Sequence, residues 1–125
     1  MTRDLDLIRK ILLEIESWPP GVSAKTVTIE DYDSSAVNYH AILLHEVGYI
    51  EGMTFGDPLR GKVINPTRLT WNGHEFLDEA RNKTVWNKAK KVAEEVGTTS
   101  LSIFRTILTR VASSELEQVL NSLNG

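Results

Sequence analysis

Apolar residues recur at helical spacing near the start of the chain. Four of them form one stripe at steps of three and four residues: Leu5, Ile8, Leu12 and Ile15. This is the periodicity of an amphipathic helix that packs one face on a core. Pro19 and Pro20 cannot continue a helical hydrogen-bond ladder. The pattern therefore predicts a first helix over residues 4–17.

A short β-branched segment and a second helical pattern follow. Thr26–Ile29 alternates in the manner of a brief strand. The second helix is predicted to begin at Asp33 or Ser34 and to end at Gly48, where a left-handed residue commonly closes a helix. One arc of this helix is apolar and faces the core: Ala36, Val37, His40, Leu43, Leu44 and Val47. The opposite arc carries Ser35, Asn38, Tyr39, Ile42, His45 and Glu46.

The middle of the chain reads as a β-hairpin. Strand-like residues Tyr49–Thr54 and Lys62–Leu69 flank the turn-rich segment Phe55–Gly61. Pro66 cannot donate a ladder bond, so it must lie at an edge or a bulge. A third helix then begins after a capping residue, Thr70 or Asn72, and holds Phe76, Leu77 and Ala80.

Helical patterns fill the rest of the chain. One helix is predicted over Thr84–Val96, and another opens at Thr98 or Thr99. Ser114 and Glu117 match a capping box, so either a last helix begins at Ser114 or the run is continuous. The tryptophans Trp71 and Trp86 are assigned to packing positions on their helices.

The order of these elements is that of a winged helix. Helix, short strand, helix and hairpin place two apolar stripes on a small sheet. We therefore predict an α+β fold, a winged helix-turn-helix with a small β-hairpin wing and additional C-terminal helices. The winged-helix domain covers residues 1–80, and residues 81–125 form a helical extension of the same compact unit.

Two segments are similar to winged-helix proteins in general. Leu43–Ile50 is similar to the end of their recognition helix, and Arg68–Leu77 resembles the strand-to-helix exit that follows their wing. One departure is that only Glu30–Asp33 is available for the separate helix that usually precedes the recognition helix. The helix-turn-helix is therefore expected to be short.

Four motifs together resemble a narrower family. They are Arg3–Leu12, Tyr39-His40, Arg68–Asp78 and Thr84–Lys88. In this respect the chain resembles a family of small bacterial proteins, often from phages or prophages, that is defined by a domain of unknown function. The resemblance implies a winged-helix-like fold and brings no catalytic residues with it.

Composition narrows the class of protein. The chain has 125 residues and no cysteine, which fits one domain and excludes disulfide frameworks, cysteine zinc sites and thiol catalysis. No apolar run approaches the ~18 residues of a membrane helix. The start, Met1–Asp4, is unlike a secretory signal. We therefore expect a cytoplasmic protein that has no membrane partner.

Charge separates the two halves of the chain. Residues 1–57 carry four basic and ten acidic side chains, a net charge of −6. Residues 58–125 carry ten basic and seven acidic side chains, a net charge of +3. Because the basic residues concentrate in residues 60–91, an anion-binding surface is expected in that stretch.

Binding of double-stranded DNA is the first functional hypothesis, with the protein acting as a phage- or prophage-type transcriptional regulator. The recognition helix of a winged helix enters the major groove, and its outer face reads base edges; here the second predicted helix takes that place. The candidate contacts are Ser34, Ser35, Asn38 and His45 on that helix and Arg60, Lys62 and Arg68 on the wing. Electrostatics oppose this hypothesis, because the helix has no Lys or Arg and Asp31, Asp33 and Glu46 repel phosphates.

A protein-interaction adaptor on the same scaffold is the alternative. Tyr39 and Ile42 on the outer arc of the second helix form a small apolar patch suited to a partner. The C-terminal helices carry a further apolar stripe that is predicted to pack against a second copy: Leu101, Phe104, Leu108, Val111, Leu116 and Leu120. The competing interpretation is that this stripe covers the core of the monomer.

The histidines do not support an enzyme. His40 and His45 are five residues apart and fall on different helix faces, so they do not form a metal pair. His40 is expected to be a core residue bonded to a backbone or carboxylate group, and His74 is expected to be a packing residue. No phosphate loop, nucleophile elbow or paired-carboxylate motif is present. We predict no catalytic residue, no metal, no cofactor and no small-molecule substrate.

Overall fold

The computed structural model describes residues 1–124, and within them the fold is a mixture of helices and one antiparallel hairpin. The elements in chain order are α1 (Leu5–Glu16), α2 (Ser34–Glu46), β1 (Ile50–Asp57), β2 (Gly61–Leu69), α3 (Trp71–Ala80), α4 (Lys83–Val96) and α5 (Leu101–Asn124). The α+β class predicted from the sequence is confirmed.

The chain forms two compact units. The first is Met1–Leu77, and the second begins at Asp78, so the boundary falls within α3. The sequence-based division into residues 1–80 and 81–125 stays a prediction. Each unit has a core of its own, and the candidate site described below lies wholly in the first.

Helix α1 supplies the centre of the first core. Its inward stripe is almost fully buried: Leu7, Ile8, Ile11, Leu12 and Ile15. The side chain of Asp4 caps the helix by accepting a hydrogen bond from the Leu7 N–H at 3.1 Å. This satisfies one of the free N–H groups of the first turn and places a carboxylate at the positive end of the helix dipole.

Helix α2 begins and ends close to where its sequence predicts. The carboxylate of Asp33 caps it by accepting from the Ala36 N–H at 2.9 Å. Gly48, just beyond its end, has a φ of +82°, which glycine adopts without strain. Val37, Ala41 and Leu44 face the core. The predicted inward arc is confirmed at Val37 and Leu44 but is wrong at Val47, which follows the last helical residue and is 45% exposed.

The hairpin contains one irregularity that its sequence anticipates. Ile50 lies opposite Leu69, and Asp57 lies opposite Gly61. The register shifts between Glu51 and Gly52, near Pro66 on the facing strand. Pro66 lacks an N–H group, so a bulge beside it removes a ladder bond that it could not have made.

The predicted strand at Thr26–Ile29 is wrong. This segment is irregular, although Val27 is buried in the core. One backbone bond ties it to the sheet, from the Lys25 N–H to the Pro66 carbonyl at 3.2 Å. Because Pro66 has no N–H to donate in return, a ladder cannot propagate from that contact. The sheet described by the structure therefore has two strands.

The prediction that Trp71 packs inward is also wrong. Trp71 is 77% exposed, whereas Phe76 and Leu77 of the same helix are fully buried. Trp71 is the first residue of α3, directly after Thr70, whose hydroxyl accepts from the Gly73 N–H at 3.1 Å. The inward face of α3 is set by positions 73, 76, 77 and 80, and Trp71 projects from the opposite side.

The second unit is built on α4 and α5. Asn82 caps α4, and Gly97 ends it in the left-handed conformation, with a φ of +78°. The rings of Trp86 and Phe104 meet edge to face at 5.1 Å in the core of this unit. Helix α5 runs without a break through Ser114, so the continuous alternative from the sequence is the one observed.

Candidate binding cleft

A cleft of about 490 Å³ opens between the start of α2 and the tip of the hairpin. Its lining combines residues from the chain start, α2 and the hairpin: Met1, Ser34, Ser35, Asn38, Tyr39, Ile42, Leu59, Arg60 and Lys62. Seven of these nine were candidates from the sequence. Five of the seven residues assigned to nucleic acid and the two α2 residues assigned to a protein partner thus line one cavity.

Three large apolar side chains dominate the accessible surface of the cleft. Leu59 at the hairpin tip is 96% exposed, Tyr39 on α2 is 38% exposed, and Met1 is also open to solvent. Ile42 lies half-buried beside Tyr39. Single exposed apolar residues are ordinary, but a cluster around a concave surface is the usual mark of a binding site.

The hairpin tip, Asp57–Gly61, is organised by one carboxylate. Asp57 accepts hydrogen bonds from the backbone N–H groups of Leu59 at 2.8 Å and Arg60 at 3.0 Å. The Arg60 guanidinium also lies 3.0 Å from this carboxylate. These bonds fix the turn that presents Leu59 to the cleft.

The same bonds lower the pKa of Asp57. The backbone N–H groups of Leu59 and Arg60 contribute most, and the Arg60 side chain adds to them. Each of these partners favours the charged carboxylate. A carboxyl group whose pKa is depressed in the folded state stabilises that state above its unfolded pKa and stops doing so as the pH falls through its folded pKa.

We expect the tip to lose this organisation only in acid. An NMR titration of the Asp57 carboxyl carbon is predicted to give a midpoint below about 3.9, the usual value for aspartate. The amide signals of Leu59 and Arg60 are predicted to move with the same midpoint. In the Asp57→Asn variant these two amides should no longer follow it. A midpoint at or above the usual value would contradict the described turn.

Asn38 performs a structural task that sequence reasoning did not foresee. Its side-chain amide donates to the Lys62 carbonyl at 2.9 Å, and its oxygen accepts from the Ile64 N–H at 3.1 Å. These two backbone groups point to the same side of β2, so the carboxamide bonds them as a neighbouring strand would. Asn38 thereby joins α2 to the outer edge of the hairpin. Reading a base edge would require breaking both bonds.

Two of the three basic side chains proposed for the site form ion pairs with carboxylates of the same chain. Arg60 pairs with Asp57, and Arg68 pairs with Glu51 at 2.9 Å. Lys62 forms no ion pair with any residue in the range 1–124. The hydroxyl of Ser35 donates to the Asp33 carboxylate at 2.8 Å, so it too is engaged within the chain. Lys62 is therefore the one basic side chain lining the cleft that has no carboxylate partner within residues 1–124.

Two sequence candidates lie outside the cleft. His45 is on a later turn of α2 and does not line it, and neither does Arg68. Arg68 also donates to the Leu69 carbonyl at 3.0 Å. In the second unit, Arg81 pairs with Asp78 at 3.4 Å, and Lys88 pairs with Glu115. Carboxylates thus accompany at least four of the eight basic residues between positions 60 and 91.

The partner stripe expected on the C-terminal helices divides into two parts. Phe104 and Leu108 are fully buried within the second unit. Leu101 and Val111 are half-buried, whereas Leu116 and Leu120 are exposed. The first half of α5 therefore covers the core of its own unit, as the competing interpretation held, and the second half remains open to solvent.

Leu59 and Met1 were missed in the sequence. Leu59 sits in a Pro-Leu-Arg turn, where a large apolar side chain has no core to enter. A large apolar residue in an exposed turn was therefore the signal in the sequence that could have identified Leu59 as a binding residue. Met1 reaches the cleft because the chain start is tied to α2, through a bond from the Asp4 N–H to His40 Nε2 at 2.8 Å.

Two features are absent from residues 1–124: a cluster of metal-ligating side chains and a membrane-spanning helix. Within residues 1–124, no three His, Asp or Glu side chains are grouped so that they could hold a metal ion. Over the same residues, no helix has the length and apolar character to cross a membrane.

Comparison with known protein families identifies the family of this chain. The model of the family described as "Hypothetical protein (DUF2513)" matches residues 2–100. The chain belongs to this family. The DUF2513 match covers every residue that lines the cleft except Met1, and it stops one residue before α5 begins at Leu101. The predicted membership of a family of unknown function is thus confirmed.

One relative of this DUF2513 protein aligns with nearly the full length of the chain. It is a protein of Haemophilus influenzae described as "Uncharacterized protein", which is 36% identical over 124 residues. The alignment covers 96% of this chain and 99% of the relative. No solved structure matches the chain.

Proposed function

We propose that the protein is an adaptor on a winged-helix-like scaffold and that the cleft between α2 and the hairpin tip binds a segment of another protein. The observation that carries this proposal is the cluster of Tyr39, Ile42 and Leu59 around one concave surface. The cluster combines aromatic and aliphatic side chains, which is the composition of interface cores.

The winged-helix part of the proposal is supported by the order and contacts of the elements. Helices α1 and α2 both contact β2, and α2 also contacts β1. Asn38 fastens α2 to the hairpin in the position that a recognition helix takes beside its wing. Over residues 1–124 the scaffold has neither a third strand nor a separate helix between α1 and α2, so we describe it as winged-helix-like.

Charge favours a protein partner over DNA. Residues 1–77 carry seven basic and eleven acidic side chains, a net charge of −4. Affinity for DNA comes largely from basic side chains that neutralise phosphates. Arg60 and Arg68 are paired with carboxylates, and α2 has no Lys or Arg. The contribution that dominates DNA binding is therefore weak on this unit.

The cleft also indicates the chemistry of its occupant. A large apolar side chain can pack between Tyr39 and Leu59, where it would remove apolar surface from water. The unpaired ammonium of Lys62 at the rim favours a carboxylate close to that anchor. We therefore propose a peptide segment with one large apolar residue followed within a few positions by Asp or Glu.

A displayed library of random peptides tests this directly. The full chain is the bait, and the Leu59→Asp variant is used for counter-selection. We expect enriched peptides that carry an apolar anchor with a nearby acid, and we expect Leu59→Asp to weaken their binding at least tenfold. Lys62→Glu should weaken the acidic peptides more than versions in which the acid is replaced by its amide.

Met53→Asp is the matched control. Met53 is an exposed apolar residue of the same hairpin, but it does not line the cleft. Binding of the selected peptides should be unchanged in this variant. A failure to enrich any peptide, or equal binding to Leu59→Asp and to the unaltered chain, would count against the adaptor.

The DNA hypothesis makes the opposite prediction for the same protein. Titration of mixed-sequence duplex DNA at low and moderate salt should show salt-sensitive binding if the protein is a DNA-associated regulator. We expect no such binding at micromolar protein. Salt-sensitive binding that Lys62→Glu abolishes would favour the regulator instead of the adaptor.

A further inference from the structure

The last part of α5 is exposed to solvent along its whole length. Every residue from Leu116 to Asn124 is exposed. Four of them are large and apolar, and we call them the tail stripe: Leu116, Val119, Leu120 and Leu123. By contrast, Phe104 and Leu108 earlier in the same helix are fully buried. The packing of α5 within its unit therefore stops before the tail stripe begins.

The tail stripe lies along one side of the helix. Its members are separated by three, one and three residues, so they share an arc. Helix α5 is already nucleated by its packed first half, so the tail needs no partner in order to be helical. Four large apolar side chains on one exposed arc are nevertheless the mark of a surface that another molecule covers.

Charge in and around the tail stripe favours an identical partner. Glu117 is the one charged residue between positions 116 and 124, and its position in the helical repeat sets it away from the stripe. Glu115, the next acidic residue towards the start of the helix, is already paired with Lys88 of the same unit. Two identical tails can therefore meet along their stripes without bringing like charges together.

Symmetry points to the same partner. When two identical stripes pair antiparallel about a two-fold axis, each stripe covers the other. The assembly is then closed, because neither copy has a second stripe free to bind a third copy. Position 116 then lies opposite position 123 of the second copy, and 119 lies opposite 120. The uncharged polar residues of the tail, such as Gln118 and Asn121, remain at the rim.

We propose that the tail stripe is a homodimer interface, in which the ends of α5 from two copies pair antiparallel. The proposal rests on the second unit alone and does not depend on the cleft. It places the dimer contact on the exposed end of α5 instead of on Phe104 and Leu108, which the sequence included in the predicted interface.

Light scattering of the full chain across a concentration series tests the proposal. We expect a mass near twice 14.0 kDa for the unaltered chain. Leu120→Glu should raise the dimer dissociation constant at least tenfold and leave the helical circular dichroism of the monomer in place. A chain that stays monomeric at about 100 µM, or a Leu120→Glu variant that dimerises normally, would overturn the proposal.

The matched control is on the same helix. Ile103 is 47% exposed and Leu120 is 42% exposed, but Ile103 projects from a different side of α5. Ile103→Glu should leave the dimer intact.

A mixture of two variants tests the orientation. Leu116→Lys copies and Leu123→Glu copies should each be weakened alone and should recover the dimer when mixed, because antiparallel pairing sets these positions against each other. Failure of the mixture to recover would overturn the antiparallel arrangement.

Discussion

Replacing Gly73 by alanine is expected to destabilise the first unit by about 3 kcal/mol, at the upper end of what overpacking costs. A methyl group on Gly73 would lie 2.1 Å from the Tyr49 carbonyl oxygen and 3.0 Å from its carbon. Both neighbours are backbone atoms, so neither can rotate away. The Tyr49 carbonyl also accepts from the Thr70 N–H at 2.9 Å, which holds it in place. Relief of the clash therefore requires α3 to move off the end of α2.

The sign of this effect makes it informative. Alanine normally stabilises a helix by about 0.5–1 kcal/mol relative to glycine. Urea denaturation should nevertheless show a lower midpoint for Gly73→Ala. Gly56→Ala on β1 is the control, because no atom lies within 4 Å of the added methyl group there. Equal or raised stability of Gly73→Ala would show that α3 does not approach Tyr49 as described.

Replacing His40 by leucine is expected to cost about 2 kcal/mol, the range for leaving a buried backbone donor unpaired. His40 is buried, with Nδ1 at 2.8 Å from the Ala36 carbonyl and Nε2 at 2.8 Å from the Asp4 nitrogen. Because a carbonyl can only accept and an N–H can only donate, Nδ1 carries the proton and Nε2 accepts. The imidazole thus bonds the start of α1 to α2, and leucine can make neither bond.

The same substitution at His45 is the control. His45 is on the same helix, and its side chain forms no hydrogen bond or ion pair within residues 1–124. His45→Leu should therefore change the free energy of unfolding by less than about 0.5 kcal/mol. Hydrogen exchange offers a second reading, since the Asp4 amide should lose protection in His40→Leu. If both variants unfold at the same denaturant concentration, the proposed tie between the two helices does not contribute to stability.

Helices α1 and α2 could be predicted from sequence because local signals agree there. An apolar stripe, a capping aspartate and a terminating proline or glycine all indicate the same boundaries. The expectation that His40 is a core residue bonded to a backbone group is confirmed for the same reason: its position on the apolar arc is a local property. Its second partner, the Asp4 N–H, is distant in sequence and gave no signal.

The errors arose where a local preference met a tertiary constraint. Thr26–Ile29 has β-branched residues, but its neighbour Pro66 cannot complete a ladder. Trp71 was assigned to a packing position on its helix, although its place in the helical repeat sets it opposite Gly73 and Leu77.

The candidate cleft was only partly predictable. The outer arc of α2 identified Ser35, Asn38, Tyr39 and Ile42 as accessible, and the cleft includes all four. The bonds of Asn38 to β2 depend on how the hairpin folds over α2, whereas Arg60 pairs with Asp57 within the turn at the hairpin tip. These contacts changed the interpretation of the site, because they engage groups that DNA would need.

NMR chemical-shift mapping of the full chain tests the central claim most directly. The labelled protein is titrated with a selected apolar–acidic peptide and, separately, with duplex DNA at low salt. The adaptor predicts that the peptide moves the amide signals of Tyr39, Ile42 and Leu59 and that DNA leaves them in place. The opposite result, in which DNA moves the cleft signals in a salt-sensitive way and the peptide moves none, would contradict it.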